Sequence, residues 1–214
     1  MSASTKVWDG FIRLYHASQI ILLILLWYSA EQGDFDRHFL YGYALLGLVI
    51  ARLIWGVLGS QTARFSQLAL HHKKVKEYLR ATKNNHDYVS HNPLASYMVV
   101  ALIVSLCFQL TTGLFSTDEV LYEGPLYSLV NEDLALTLTS LHKQNFDWLL
   151  ILIGIHVAAA FWHLFKGDNI IKTIITGRTD KPRQTAVFWR PSFIAVSIWL
   201  VTFAVVFNLV GNLD

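Results

Sequence analysis

Five apolar runs, at 14–30, 39–58, 94–115, 146–165 and 191–210, constrain this chain more than any other feature. Each is close to the ~20 residues that a helix needs to cross the hydrocarbon of a bilayer. Backbone groups facing lipid find no water to bond, so each run must satisfy its own N–H and C=O groups as a helix. With 54% of residues hydrophobic and only 15% charged, the expected fold is an all-α membrane protein. No internal repeat, low-complexity tract or Gly-rich phosphate loop interrupts the pattern.

The links between the runs differ in charge. The second, 59–93, holds Arg64, Lys73, Lys74, Lys76, Arg80 and Lys83, and the fourth holds Lys166, Lys172, Arg178, Lys181, Arg183 and Arg190. The first has only Arg37 among Glu31, Asp34 and Asp36, and the third, 116–141, carries Asp118, Glu119, Glu123, Glu132 and Asp133. Lysine and arginine collect on the cytoplasmic side of membrane proteins, so the N-terminus is expected in the cytoplasm and Asp214 on the outer side. The basic links suit lipid head groups better than nucleic acid. The first run is full length, and cleavage after it would remove His16, so it is expected to stay as a helix.

Histidine inside hydrocarbon is costly without a partner or a task. His16 and His38 stand in the first two runs or at their edge, and His142 and His156 stand on one later helix. Imidazole is a common axial ligand of haem iron. Two ligands of one iron must lie at one height in the membrane. At ~1.5 Å per residue, the step from His142 to His156 climbs about 21 Å and returns to nearly the same helix face, so one helix can serve two stacked haems. Measured from the acidic outer boundary, His38 and His142 sit at it, while His16 and His156 reach a matching depth near the other side. His163 competes with His156 but lies a turn or two too deep to meet His16. A non-haem centre would want all its ligands at one height, and the Glu-x-x-His pattern of di-iron bundles is missing.

The lone cysteine, Cys107, excludes an internal disulfide and a thiolate cluster. With no Cys-x-x-Cys-His attachment motif, any haem is the non-covalent b type. Arg52 follows His38 by the same interval that separates His142 and His156, which suits a haem propionate at the inner level, with snorkelling to the surface as the alternative. Gln109, Thr111 and Thr112 read as helix-packing groups. Gly42, Gly47 and Gly154 allow close approach of a helix or a porphyrin. Trp27, Tyr28, Trp55 and Trp162 read as interfacial anchors. His71, His72, His86 and His91 read as solvated loop residues, and Asn92-Pro93 as the start of the third helix.

These residues resemble the bacterial cytochrome b561 family, which includes the cytochrome b subunits of nickel-iron hydrogenases. The likeness covers residues 7–180. It rests on Arg-Leu-Tyr-His at 13–16, His-Phe-Leu-Tyr-Gly at 38–42, Arg-Leu-Ile-Trp-Gly at 52–56, His-Asn-Pro-Leu at 91–94, and His142 with His-Val-Ala-Ala-Ala at 156–160. The resemblance implies His16 with His156 on one haem and His38 with His142 on the other. It departs from the smallest members by a fifth span after Lys181 and by Ala17 where a tryptophan commonly follows the first ligand. The expected organisation is a four-helix di-haem core over 1–180 and an additional helix over 181–214. The expected function is electron transfer between the membrane quinone pool and a periplasmic cytochrome c or redox enzyme. The alternatives are an enzyme that passes electrons from superoxide or another small donor to quinone, and a non-redox anchor or proton-relay transporter.

Overall fold

The computed structural model describes residues 5–80, 92–179 and 187–210. The helices are α1 (Gly10–Glu31), α2 (Phe35–Leu58), α3 (His72–Arg80), α4 (Pro93–Gly113), α5 (Glu132–Phe165), α6 (Ile170–Thr176) and α7 (Ser192–Val210). Five of them, α1, α2, α4, α5 and α7, are long and apolar enough to cross a membrane. The short α3 and α6 occupy the basic links. Strands β1 (Thr5–Lys6) and β2 (Arg178–Thr179) pair antiparallel and tie the start of the chain to the segment after α6. Lys83, His86, His91, Lys181, Arg183 and Asp214 lie outside the described residues.

Asx side chains start most of these helices, because a short carboxylate or amide can accept from an amide that has no partner in the first turn. Asp9 accepts from Ile12 N–H, Asn92 from Ala95 N–H ahead of Pro93, Asn131 from Leu134 N–H and Asn169 from Lys172 N–H, each at 2.8–2.9 Å. The Asn92-Pro93 start is thus where the sequence puts it. α5, by contrast, begins at Glu132, well before the apolar run at 146. Besides the Asn131 cap, Glu132 and Asp133 lie in its first turn, where negative charge meets the positive end of the helix dipole. A helix of 34 residues is about 51 Å long, against a hydrocarbon core of ~30 Å. The helix is therefore longer than the hydrocarbon it would cross.

α2 is the central helix, with half of its spanning window buried, whereas α5 has only 6%. α1 packs along one side of α2 through Phe11, Tyr15, Leu45, Leu48 and Trp55. α7 packs along another side, where a Cβ on Gly47 would stand 2.8 Å from Phe203 Cα and Thr202 Oγ1 donates to Gly47 O at 2.8 Å. α4 pairs with α5, and the α1–α2 and α4–α5 pairs touch each other mainly through α2 and α4. α5 packs only sparsely on α1 and α2, which leaves a slot between it and the first pair. Trp55 corrects the sequence reading: it is fully buried, and its indole N–H donates to Asp9 at 2.9 Å. Trp27 and Trp162 are exposed, as anchors should be.

Candidate functional site

His16, His38, His142 and His156 face one another across that slot in two pairs. The rings of His16 on α1 and His156 on α5 have centroids 6.3 Å apart. Those of His38 on α2 and His142 on α5 are 6.4 Å apart. An imidazole nitrogen binds a metal at ~2.0 Å and lies about 1.1 Å from its own ring centroid, so two imidazoles on opposite sides of one metal have centroids about 6.2 Å apart. Both pairs have that spacing. Among the described residues no group of three or more His, Cys, Asp or Glu side chains gathers as a metal centre.

Hydrogen bonds hold one pair. His38 Nδ1 donates to Leu26 O at 3.0 Å, and His142 Nδ1 donates to Gln109 O at 2.9 Å. Each bond fixes the tautomer and leaves Nε2 with its lone pair, as metal-bound histidines usually require. Gln109 Nε2 donates to His142 Nε2 at 3.1 Å, using the lone pair a metal would take, so that amide would have to turn aside for His142 to act as a ligand. Asn145 Nδ2 in turn donates to Gln109 Oε1 at 2.7 Å and Ser105 Oγ to Asn145 Oδ1 at 3.2 Å. Gln109 and Thr112, which the sequence suggested as packing groups, therefore belong to the surroundings of His142. Asn145 and Ser105 were missed; their one signal was being polar near the membrane level of a histidine.

Arg52 is 6% exposed, which corrects the snorkelling alternative. Its guanidinium lies 4.7 Å from the Phe65 ring and 5.9 Å from the Tyr15 ring, and its Nη1 has no hydrogen-bond partner. A buried cation with an unfilled donor suits an anionic group such as a propionate. Gly42 and Gly154 have no heavy atom within 4 Å of an added Cβ, while a Cβ on Gly113 would stand 2.9 Å from His142 Cε1. The first two leave room, and the third admits an imidazole. His163 takes no part in either pair; its Nδ1 faces Asp168 Oδ2 at 3.7 Å. His71 and His72 are exposed.

Above the His38 pair lies the 114–131 segment. Tyr122 packs on Phe35 at 5.2 Å, and Phe35 packs on His38. Asp118 Oδ1 gathers the N–H groups of Val120, Leu121 and Tyr122 at 2.8–3.0 Å. These bonds hold its carboxyl below the usual carboxylate range.

A bundle of membrane-spanning helices that aims paired imidazoles into a slot between two helix pairs is the architecture of a membrane b-type cytochrome. The family described as prokaryotic cytochrome b561 matches residues 7–177, and the chain belongs to it. Membership makes it a multi-pass membrane protein that binds haem b and transfers electrons across the membrane. No curated protein and no solved structure matches the chain.

Proposed function

We propose that the chain conducts electrons through two b haems in a bacterial inner membrane, between the quinone pool and a redox partner in the periplasm. One observation carries this reading: two facing histidine pairs, each spaced for one metal, draw on the two ends of the apolar part of a single helix. His38 and His142 would hold the outer haem, and His16 and His156 the inner one. Haem iron, when bound, supplies reversible one-electron chemistry. The protein's part is to aim the imidazoles, fix the outer tautomers through Leu26 O and Gln109 O, and offer Arg52 to a propionate. The helices keep water from the pairs, and Tyr122 with Phe35 covers the outer one.

Charge supports the orientation. Arg13, Arg64, Lys73, Lys76, Lys166, Arg178 and Arg190 lie toward the end where α2 finishes and α4 begins, which reads as cytoplasmic, with the N-terminus inside and the C-terminus in the periplasm. The opposite end carries Asp118, Glu119, Glu123, Glu132 and Asp133. Such a surface repels an anion such as superoxide and attracts a basic cytochrome c, so the macromolecular partner is favoured.

The test uses purified holoprotein. Haem extraction should give two haems per chain, and the b-type bands should exchange electrons both with a quinone–quinol couple and with a periplasmic cytochrome c. One haem per chain, or bands that quinol does not reduce and quinone does not reoxidise, overturns the proposal.

A further inference from the structure

The two histidine pairs differ in what surrounds them. At the outer pair each ring donates Nδ1–H to a main-chain carbonyl of a neighbouring helix, Leu26 O on α1 for His38 and Gln109 O on α4 for His142. Three residues beyond each carbonyl stands a buried hydroxyl bonded to that same oxygen, Ser29 Oγ at 3.0 Å and Thr112 Oγ1 at 3.1 Å. Both hydroxyls lie 3.3 Å from the Nδ1 they flank. α1 and α4 thus present the same clamp from two sides. At the inner pair, neither His16 nor His156 has a hydrogen-bond partner among the described residues. That level carries Arg52 instead, buried and with Nη1 unpartnered, over the ring of Tyr15, the residue before His16. Asp9, an acid within electrostatic reach of Arg52, is already engaged by Ile12 N–H and the Trp55 indole.

We propose that this asymmetry orders the two sites in potential, with the lower potential at His38–His142 and the higher at His16–His156. The inference rests on the two-haem reading. An imidazole that gives its N–H to a carbonyl becomes a stronger electron donor and stabilises the more positive, oxidised iron. Reduction adds a negative charge, and a buried guanidinium nearby favours it. The acids of the 116–133 segment, which Tyr122 and Phe35 join to His38, act on the outer pair in the opposite sense. All three effects have the same consequence. One electron leaves the outer site as one arrives at the inner, no atom or proton moves, and the step runs downhill from outside to inside.

The test is a spectroelectrochemical titration of the holoprotein, in which two one-electron waves are expected. His142→Ala should remove the lower wave and His156→Ala the upper. Arg52→Gln should lower the upper wave and leave the lower in place, with at least a tenfold change in the equilibrium between the sites, ~59 mV for one electron. Arg52→Lys should restore it. Loss of the upper wave from His142→Ala, or an upper wave unmoved by Arg52→Gln, overturns the proposal while two haems remain. If Arg52→Gln does not fold, the histidine variants alone decide the order. A single haem per chain overturns the two-haem reading itself, and this proposal with it.

Discussion

Gly113→Ala is the substitution whose effect the geometry defines best. The added methyl would lie 2.9 Å from His142 Cε1 and 3.2 Å from its Nδ1, whereas relaxed carbon contacts are ~3.5–4.0 Å. The neighbour is a ring already held by Gln109 O, so the ring must leave its rotamer or α4 must part from α5. A turn of ~30° costs about 0.5–1.5 kcal/mol, and a weakened Nδ1–H bond costs about 1 kcal/mol more. At 1.4 kcal/mol per factor of ten, a total of about 2 kcal/mol predicts roughly 30-fold weaker haem binding at the outer pair. The inner pair, about 21 Å away along α5, should be untouched. Haem titration of the stripped protein, followed by the b-type bands, measures both affinities, with the exposed neighbour Thr111→Val as control. Two unchanged affinities in Gly113→Ala would refute the contact on which the reasoning stands.

Other outcomes follow from other contacts. Gly47→Leu should force α7 off α2, because even a Cβ there meets the Phe203 backbone; thermal unfolding should shift down while the b-type spectrum persists. The Asp118 carboxyl is held below the ordinary aspartate range by backbone N–H groups, so its contribution to the outer segment is complete above ~3.9 and fades as pH falls through the lowered value. Hydrogen exchange at Val120, Leu121 and Tyr122 should therefore quicken only below the ordinary range, and at all pH values in Asp118→Ala. Electron transfer to a basic periplasmic cytochrome should slow as salt shortens the Debye length to ~10 Å at 0.1 M; neutralising Asp118, Glu119, Glu123, Glu132 and Asp133 should reproduce that loss, and a rate indifferent to both would leave the acids without a steering role.

The spans and the histidine pairs were legible because both are consequences of length. A run of apolar residues measures the bilayer, and the interval from His142 to His156 sets a height that His38 and His16 match from other helices. What the sequence concealed depended on partners across helices. Trp55 looks like an anchor until Asp9, far away in the chain, is found against its indole. Gln109 and Thr112 look like packing groups until α5 brings His142 to them. The start of α5 was hidden for another reason: Thr137, Thr139, Ser140 and the polar stretch from His142 to Asn145 separate it from the apolar run at 146. Arg52 divided evenly on paper, since only burial separates a guanidinium that snorkels from one that waits for an anion.

The central claim is that two histidine pairs, not four separate histidines, build the redox path. Haem content and spectra of the single alanine variants at 16, 38, 142, 156 and 163 test it together. The pairing predicts that His38→Ala and His142→Ala lose the same haem, that His16→Ala and His156→Ala lose the other, and that His163→Ala keeps both. An inner haem that survives His156→Ala but not His163→Ala, or a single haem lost from both helix ends at once, would contradict it.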